Sequence, residues 1–181
     1  MHNTQMKLCR KTVARLWRGA ALLLILGASE AMAAGPTSLG ASRDWDALMM
    51  TEGKNKSCYL RAAPSKSEPA GAKRGEVYLF ITHRPASKVV NEISVIAGYP
   101  YKPGSSATLA IGKQKFSLFT EGDGAWVENP ADEARVIAAM KQGDKLTISG
   151  ASARGTSTTD TYSLAGFSAA LKTINKACGV K

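Results

Sequence analysis

The sequence predicts a mainly β fold, an antiparallel β-sandwich with two short helices, the second of them C-terminal. About seven or eight short strand-like runs are separated by turn signals roughly every dozen residues, a spacing typical of sandwiches. Segments with helical spacing occur only late in the chain, and the last one leads to a cysteine close to the C-terminus. These observations favour a single domain whose helices are additions to a sheet.

The N-terminal segment has the three parts of a secretory signal peptide. Its first 18 residues carry five basic side chains and no acid, the apolar run "GAALLLILG" follows at Gly19–Gly27, and Ala31 and Ala33 occupy small-residue cleavage positions. The apolar run is shorter than the about 20 residues that a spanning helix needs. We therefore expect residues 1–34 to be removed and no transmembrane span to remain, the alternative being an uncleaved anchor.

The charge of the chain favours anionic partners. The full sequence has 24 basic and 14 acidic residues; residues 1–34 hold five of the basic and one of the acidic, so 19 and 13 remain, a net of +6. A cationic exported protein favours anionic envelope or host-surface components such as lipopolysaccharide, acidic lipids or glycans. Export and the lack of a nucleic-acid motif argue against nucleic acid. Charge that serves solubility alone is an equally good interpretation.

The cysteines indicate a disulfide. Cys9 lies in the predicted leader, which leaves Cys58 and Cys178, and an even count in an exported chain points to pairing in an oxidising compartment. Two cysteines permit one intramolecular pairing, which would hold the C-terminal helix against an early strand. A reactive thiol pair would need C-x-x-C spacing or a low-pKa environment, and the sequence offers neither.

The first half of the mature chain reads as strands separated by loops. Gly, Pro and Ser predict a flexible lead-in over 35–43, before a single domain over 44–181. The predicted strands here are "DWDALMM" (44–50), "SCYLRAA" (57–63), "EVYLFITH" (76–83) and "NEISVIAGY" (91–99). The Pro-, Ser-, Lys- and Gly-rich stretch 64–75 predicts a surface loop, and the continuous apolar character of 76–83 predicts a central strand buried on both faces.

The second half combines a hairpin, a helix and a strand pair. "ATLAIG" and "KFSLFTEG" flank "GKQ" as a hairpin, and Asp123-Gly124 predicts a turn before Trp126. "DKLTISGAS" and "TSTTDTYSL" are the later strands.

Both helices carry sequence signals at their ends. The first is "NPADEARVIAAMKQG", with Asn129 as N-cap, Pro130 in the first turn and Gly143 after the last turn. Its predicted buried residues are Val136, Ile137 and Met140. We expect the second helix to begin near Ser163, with a buried face made of Leu164, Phe167, Leu171 and Ile174.

Several segments resemble the invasion-associated locus B family of small exported alphaproteobacterial proteins. They are "FITHRPASKVVNEISVIAGYPYKPGS", "FSLFTEGDGAWV", "AAMKQGDKLTISGASARGTSTTDTYSLAGFSAAL" and the closing "KACG". The resemblance covers about Asp44 to Val180. It implies an immunoglobulin-like β-sandwich outside the cytoplasm, supports the pairing of Cys58 with Cys178, and implies a role in host-cell invasion or in the envelope. The family offers no catalytic residues to transfer.

Residues for catalysis or metal binding are sparse. The mature chain has one histidine, His83, which with Arg84 could bind an anion or act as a base, although its place at a strand end fits a structural role better. No G-x-S-x-G elbow, calcium loop, P-loop or dinucleotide fingerprint is present. Zinc sites favour several His or Cys ligands. We therefore predict no catalytic residues, no metal and no cofactor.

One loop suggests binding. Tyr99 and Tyr101 in "GYPYKPG" form an exposed-looking aromatic loop beside Lys102, which suits contact with a glycan or a protein. Packing of the tyrosines against proline is the alternative. The hydroxyls of "GTSTTDTY" could contact a sugar, although they are also ordinary for a strand surface.

The function predicted from the sequence is a non-enzymatic envelope or secreted binding protein. Its expected place is the periplasm, with outer-membrane association or release as alternatives. Two other functions stay open: a small periplasmic enzyme with a site around His83, and a structural partner in an envelope complex. The first would place His83 in a polar cleft, and the second would leave an exposed apolar patch.

Overall fold

The structure, a computed structural model, describes residues 35–181. It contains 11 strands and two α-helices, so the predicted mainly β fold with a C-terminal helix is confirmed. The strands are β1 (Thr37–Ser42), β2 (Trp45–Glu52), β3 (Asn55–Ala62), β4 (Lys66–Glu68), β5 (Tyr78–Arg84), β6 (Val89–Ile96), β7 (Ser106–Ile111), β8 (Gln114–Glu121), β9 (Gly124–Val127), β10 (Lys145–Ala151) and β11 (Ser157–Ser163). The helices are α1 (Pro130–Gln142) and α2 (Phe167–Cys178). The predicted leader over 1–34 lies outside the described residues.

All the strands belong to one open antiparallel sheet. Its order is β1-β2-β3-β5-β6-β9-β8-β7-β10-β11-β4. The chain passes from β3 to β4 through residues 63–65, although β3 lies near one end of the sheet and β4 forms the other end. Three residues span only about 10 Å, so the sheet curls round until its far end meets β3.

A contact across the interior confirms the curl of the sheet. The indole Nε1 of Trp45 on β2 donates a hydrogen bond to the carbonyl of Ser163 on β11, at 3.1 Å. Both strands contribute side chains to one hydrophobic core, where Trp45 packs edge-on against Phe167 of α2. The sandwich-like layering thus comes from a single sheet that folds over its own core.

The burial pattern of β5 corrects one prediction. Leu79, Ile81 and His83 are buried, whereas the alternate residues Tyr78 and Phe80 on the other face are partly exposed. The strand is central, but it is not buried on both faces. Its partly exposed outward residues Tyr78 and Phe80 are aromatic.

Two predicted irregular segments contain strands. The lead-in over 35–43 was predicted to be flexible, but Thr37–Ser42 pairs with β2. The loop over 64–75 contains Lys66–Glu68, which pairs with β11. Both strands lie at sheet edges and, apart from Leu39, hold small or polar residues. Their pairing depends mainly on backbone hydrogen bonds to a neighbour and not on apolar alternation.

The helices follow their end signals closely. Asn129 caps α1 by accepting a hydrogen bond from the Asp132 N–H at 2.9 Å, and the predicted residues of its inward face are buried. Helix α2 begins at Phe167 and not near Ser163, which ends β11. Gly166 precedes it with φ +86°, where a Cβ would lie 2.1 Å from the carbonyl oxygen of Ser42, so only glycine fits this position.

A candidate anion-binding cavity

Cys58 and Cys178 form the predicted disulfide. Cys58 lies on β3 and Cys178 in the last turn of α2, with an S–S distance of 2.03 Å and a Cα–Cα distance of 6.0 Å. The bond closes a chain segment with a sequence separation of 120, which is worth about 4–5 kcal/mol in the chain-entropy model. The C-terminal helix is therefore covalently tied to the sheet.

His83 is a buried residue between two asparagines. Its Nδ1 accepts a hydrogen bond from the backbone N–H of Asn91 at 3.0 Å, so its Nε2–H donates to Oδ1 of Asn175 at 2.8 Å. Burial lowers the pKa of His83 below its ordinary value of 6.5, and the hydrogen bond with Asn175 partly opposes this. Both ring nitrogens have a partner, and the side chain has no exposed surface.

The neighbouring Arg84 has a different environment. It forms an ion pair with Glu92 on β6, beside the bulge where Asn91 adopts φ +61°. The ion pair is partly exposed, in contrast to the enclosed His83. The two neighbours therefore do not form a common anion site.

The tyrosine loop is only partly as predicted. Tyr101 is 5% exposed, which corrects the expectation of an exposed side chain. Its ring packs on Gly150, where a Cβ would lie 2.6 Å from Cε1, and burial raises the pKa of the Tyr101 phenol. Tyr99 is half-buried and contacts Tyr101 edge-on at 5.3 Å, and Lys102 is exposed. Burial also raises the pKa of Tyr99.

A buried ion pair beneath Tyr99 was not predicted. Arg74 and Asp160 are 8% and 3% exposed and form two hydrogen bonds, one of 2.8 Å between Nη1 and Oδ2. Ser67 of β4 donates to the same carboxylate at 2.7 Å, and Arg74 lies over the Tyr99 ring. The hydrogen bond to Asp160 is the main reason that the pKa of Arg74 is raised. Asp160 lies two residues from Thr158 and two from Tyr162, so strand alternation places it on the same inward face, a signal that would have indicated a buried acid.

Arg74 and Tyr99 form part of the wall of a cavity of about 580 Å³. The lining combines an aromatic ring, hydroxyls and basic side chains from the loop after β4, the tyrosine loop and the turn before β11. Its residues are Pro69, Ala72, Lys73, Arg74, Gly98, Tyr99, Pro100, Ser152, Ala153, Arg154, Thr156 and Thr158. The structure thus brings together Tyr99 and the Thr-rich strand, which were separate candidate features in the sequence.

The basic side chains at this cavity differ in whether they are free to bind an anion. The charge of Arg74 is matched by Asp160, whereas Lys73 and Arg154 are exposed. The Ser152 hydroxyl accepts the Thr156 N–H at 3.1 Å, which leaves its own O–H free to donate. Two cations, a hydroxyl donor and an aromatic wall can hold an anionic group that carries hydroxyls or rings.

The described residues were also compared with the requirements of a metal site and of a membrane-spanning helix. Over 35–181, no group of three or more His, Cys, Asp or Glu side chains is arranged to hold a metal ion. In the same part of the chain, no helix is long and apolar enough to cross a membrane.

The fold and the disulfide define a small, mainly β domain that is tied at its C-terminal helix and carries a basic cavity. Comparison with protein families identifies the family of this domain. Residues 45–175 match the model of the Invasion associated locus B (IalB) protein family. The chain belongs to this family, and membership indicates an envelope- or invasion-associated protein. No curated protein and no solved structure matches the chain.

Proposed function

We propose that the chain is an exported, non-enzymatic binding protein of the cell envelope, and that its cavity takes an anionic group of an envelope or host-surface component. The observation that carries this proposal is the position of Lys73 and Arg154 on the lining of a cavity with Tyr99 in its wall. Membership of the IalB family supports the envelope or invasion context. The leader predicted over 1–34 supports export.

An anionic ligand is favoured by how the charges are satisfied. Because Asp160 already neutralises Arg74, an incoming anion meets Lys73 and Arg154 as unmatched cations. An anion that is desolvated between them gains charge-assisted hydrogen bonds, which are stronger than neutral ones. Phosphorylated or sulfated saccharides combine such groups with a ring that can pack on Tyr99.

The ion pair prepares the site for binding. Arg74 fastens the loop after β4 to β11, and Ser67 adds a hydrogen bond from β4 itself. A wall that is already fixed loses little conformational entropy when a ligand arrives. The cavity therefore suits recognition by a preformed surface.

The placement of His83 supports binding over catalysis. A general base must reach a substrate proton, but both nitrogens of His83 are engaged inside the protein. His83 also does not line the basic cavity. The enzyme hypothesis around His83 therefore receives no support from its surroundings.

The test is a titration with a defined anionic saccharide. Sulfated heparin oligosaccharide and its desulfated form are added to the mature chain, and the dissociation constants are measured by calorimetry. We expect the sulfated form to bind and the desulfated form to bind at least about tenfold more weakly, with affinity falling as salt rises.

Variants separate the cavity from the general basic surface. Lys73→Gln with Arg154→Gln is expected to weaken binding at least about tenfold, since each lost charge-assisted hydrogen bond costs roughly 1.5 kcal/mol or more. Lys113→Gln with Lys115→Gln removes two exposed cations of the β7–β8 hairpin as a matched control. Equal loss in both double variants would show that binding depends on net charge and would refute a specific site.

A further inference from the structure

The outward face of β6, β9 and β8 is unusually apolar. Within the part of the chain that the structure describes, the large hydrophobic side chains that are exposed are Val90 at 42%, Ile96 at 38% and Phe119 at 47%. Val90 and Ile96 belong to β6 and Phe119 to β8, and β9 lies between these strands with Trp126 half-buried. Strand alternation places Ile96 and Phe119 on the outward face with Trp126, and Val90 lines the groove beside Phe119 and Trp126.

Strand register places aromatic residues in a row across that face. Phe80, Ser94, Trp126 and Phe119 are successive partners on β5, β6, β9 and β8. The rings of Trp126 and Phe119 are stacked, with centroids 5.4 Å apart and an interplanar angle of 22°. Ser94 is the small member of the row, between Phe80 and Trp126. We call Phe80, Val90, Ile96, Phe119 and Trp126 the aromatic face.

A glycine holds the indole flat on the sheet. Gly124 lies two residues before Trp126 on β9, and a Cβ there would come within 2.2 Å of the indole Cη2. The Trp126 ring therefore lies over Gly124 and does not stand out into solvent. A flat, fixed ring presents a large contact surface at little cost in side-chain entropy.

The groove beside the aromatic face is acidic. It has a volume of about 420 Å³ and lies between these strands and the start of α1. Its charged lining residues are Glu92, Glu128, Glu133 and Lys88. The chain as a whole has a net charge of +10, so an excess of carboxylates at the apolar surface departs from the rest of the protein. Glu128 is exposed, and Glu92 also contacts Arg84.

We infer that the aromatic face and its acidic groove dock a basic, extended segment of a partner protein, in which apolar side chains alternate with lysine or arginine. The apolar side chains would cover Phe119 and Trp126, and the cations would meet the carboxylates or the indole face. Exposed apolar patches bordered by polar residues mark interaction sites.

The charges argue against two other occupants. Arg84 already matches the charge of Glu92. An anionic lipid or lipopolysaccharide surface would still be repelled by Glu128 and Glu133, which outnumber Lys88 in the groove. A second copy that paired face to face about a two-fold axis would bring the same carboxylates together. The docking surface shares no lining residue with the basic cavity, so this inference does not depend on the proposed function.

The experiment uses synthetic peptides of known charge. An acetylated, amidated Lys–Leu alternating peptide is titrated into the mature chain, next to Glu–Leu and Lys–Ser peptides of equal length. We expect the Lys–Leu peptide to bind about tenfold or more tightly than either comparator. Amide shifts in NMR spectra should change in β6, β8 and β9.

Substitutions locate the binding surface. Trp126→Ala and Phe119→Ser are each expected to weaken Lys–Leu binding about tenfold or more, and Glu128→Gln to weaken it while reducing its salt dependence. Met50→Ser, at a half-buried apolar residue of β2, is the matched control and should leave binding unchanged. Thermal unfolding confirms that each variant is folded.

Other outcomes would overturn the inference. These are equal affinity for the Lys–Leu and Glu–Leu peptides, affinity that survives Trp126→Ala, and preferential binding of the aromatic face to anionic lipid vesicles. Sedimentation that reveals a dimer lost in Phe119→Ser would identify the face as a contact between copies of this chain and would also overturn it.

Discussion

His83 lies directly opposite Cys58 in the β3–β5 pair, and both residues are tied to helix α2. Cys58 is bonded to Cys178, and His83 shares a hydrogen bond with Asn175. A covalent and a polar connection therefore hold the last turn of α2 at neighbouring points of the sheet. The C-terminal helix, which ends close to the chain terminus, does not depend on apolar packing alone.

Removal of the disulfide is expected to destabilise the domain strongly. Cys58→Ala with Cys178→Ala should lower the free energy of unfolding by about 2–5 kcal/mol, because the unfolded chain regains the entropy of a long open loop. Urea unfolding of the oxidised wild type and the double variant measures the difference. Reductant should destabilise the wild type and leave the double variant unaffected; a wild type insensitive to reductant would contradict the prediction.

His83 is expected to make stability depend on pH. Its pKa is lowered in the folded protein by burial, so the unfolded state binds the proton more readily. The stabilisation is complete above the unfolded pKa of about 6.5 and is lost as pH falls toward the folded pKa. Urea unfolding at a series of values between about pH 5 and pH 8, which bracket the ordinary histidine pKa of 6.5, measures how the free energy of unfolding depends on pH.

His83→Gln serves as the comparison for the pH dependence. Glutamine does not titrate. The substitution should lower the free energy of unfolding by about 1–3 kcal/mol at neutral pH, because Asn175 or the Asn91 N–H loses its buried hydrogen-bond partner. The difference in unfolding free energy between wild type and variant should shrink as pH falls below 6.5, the ordinary pKa of histidine. A constant difference across the range would mean that His83 does not titrate differently on folding.

The ion pair of Arg74 and Asp160 is expected to behave as a coupled unit. Asp160→Ala leaves a buried guanidinium without its partner and should cost about 3–5 kcal/mol. Arg74→Met with Asp160→Leu replaces both charges by apolar groups and should recover much of that loss. Unfolding of Arg74→Met, Asp160→Leu and the double variant yields the coupling energy, and additive effects would show that the two residues act independently.

The elements that the sequence predicted well are those with local signals. Helix α1 follows from Asn129, Pro130 and Gly143, each of which acts within one turn of its own position. The β7–β8 hairpin follows from two apolar runs around a short turn. The disulfide was predictable because Cys9 lies in the predicted leader, which leaves Cys58 and Cys178 as one possible intramolecular pair.

The elements that the sequence did not predict depend on distant partners. The polar strand Lys66–Glu68 exists because β11 offers hydrogen bonds to it, and Arg74 is buried because Asp160 lies beneath the loop. Tyr101 is buried because Gly150, far away in the sequence, leaves room for its ring. The cavity is built from such contacts. The sequence indicated Tyr99 and the Thr-rich strand separately, but it did not indicate the ion pair or that these features meet at one cavity.

The placement of Trp126 over Gly124 is expected to be sensitive to a single methyl group. In Gly124→Ala the new Cβ would meet the indole at Cη2, and the ring must move away from the strand. Because Trp126 is half-buried and can swing outward, unfolding free energy should fall by only about 1 kcal/mol, at the low end for overpacking. Tryptophan emission should shift to longer wavelength as the ring becomes more exposed.

A double-variant comparison isolates this contact. Once Trp126→Ala has removed the ring, adding Gly124→Ala should cost less than it does in the wild type, because the atoms it would strike are gone. Trp45 is buried and should contribute the same emission in every variant. An equal cost in both backgrounds would show that the indole does not lie over Gly124. The fixed ring on which the docking surface depends would then lose its structural basis.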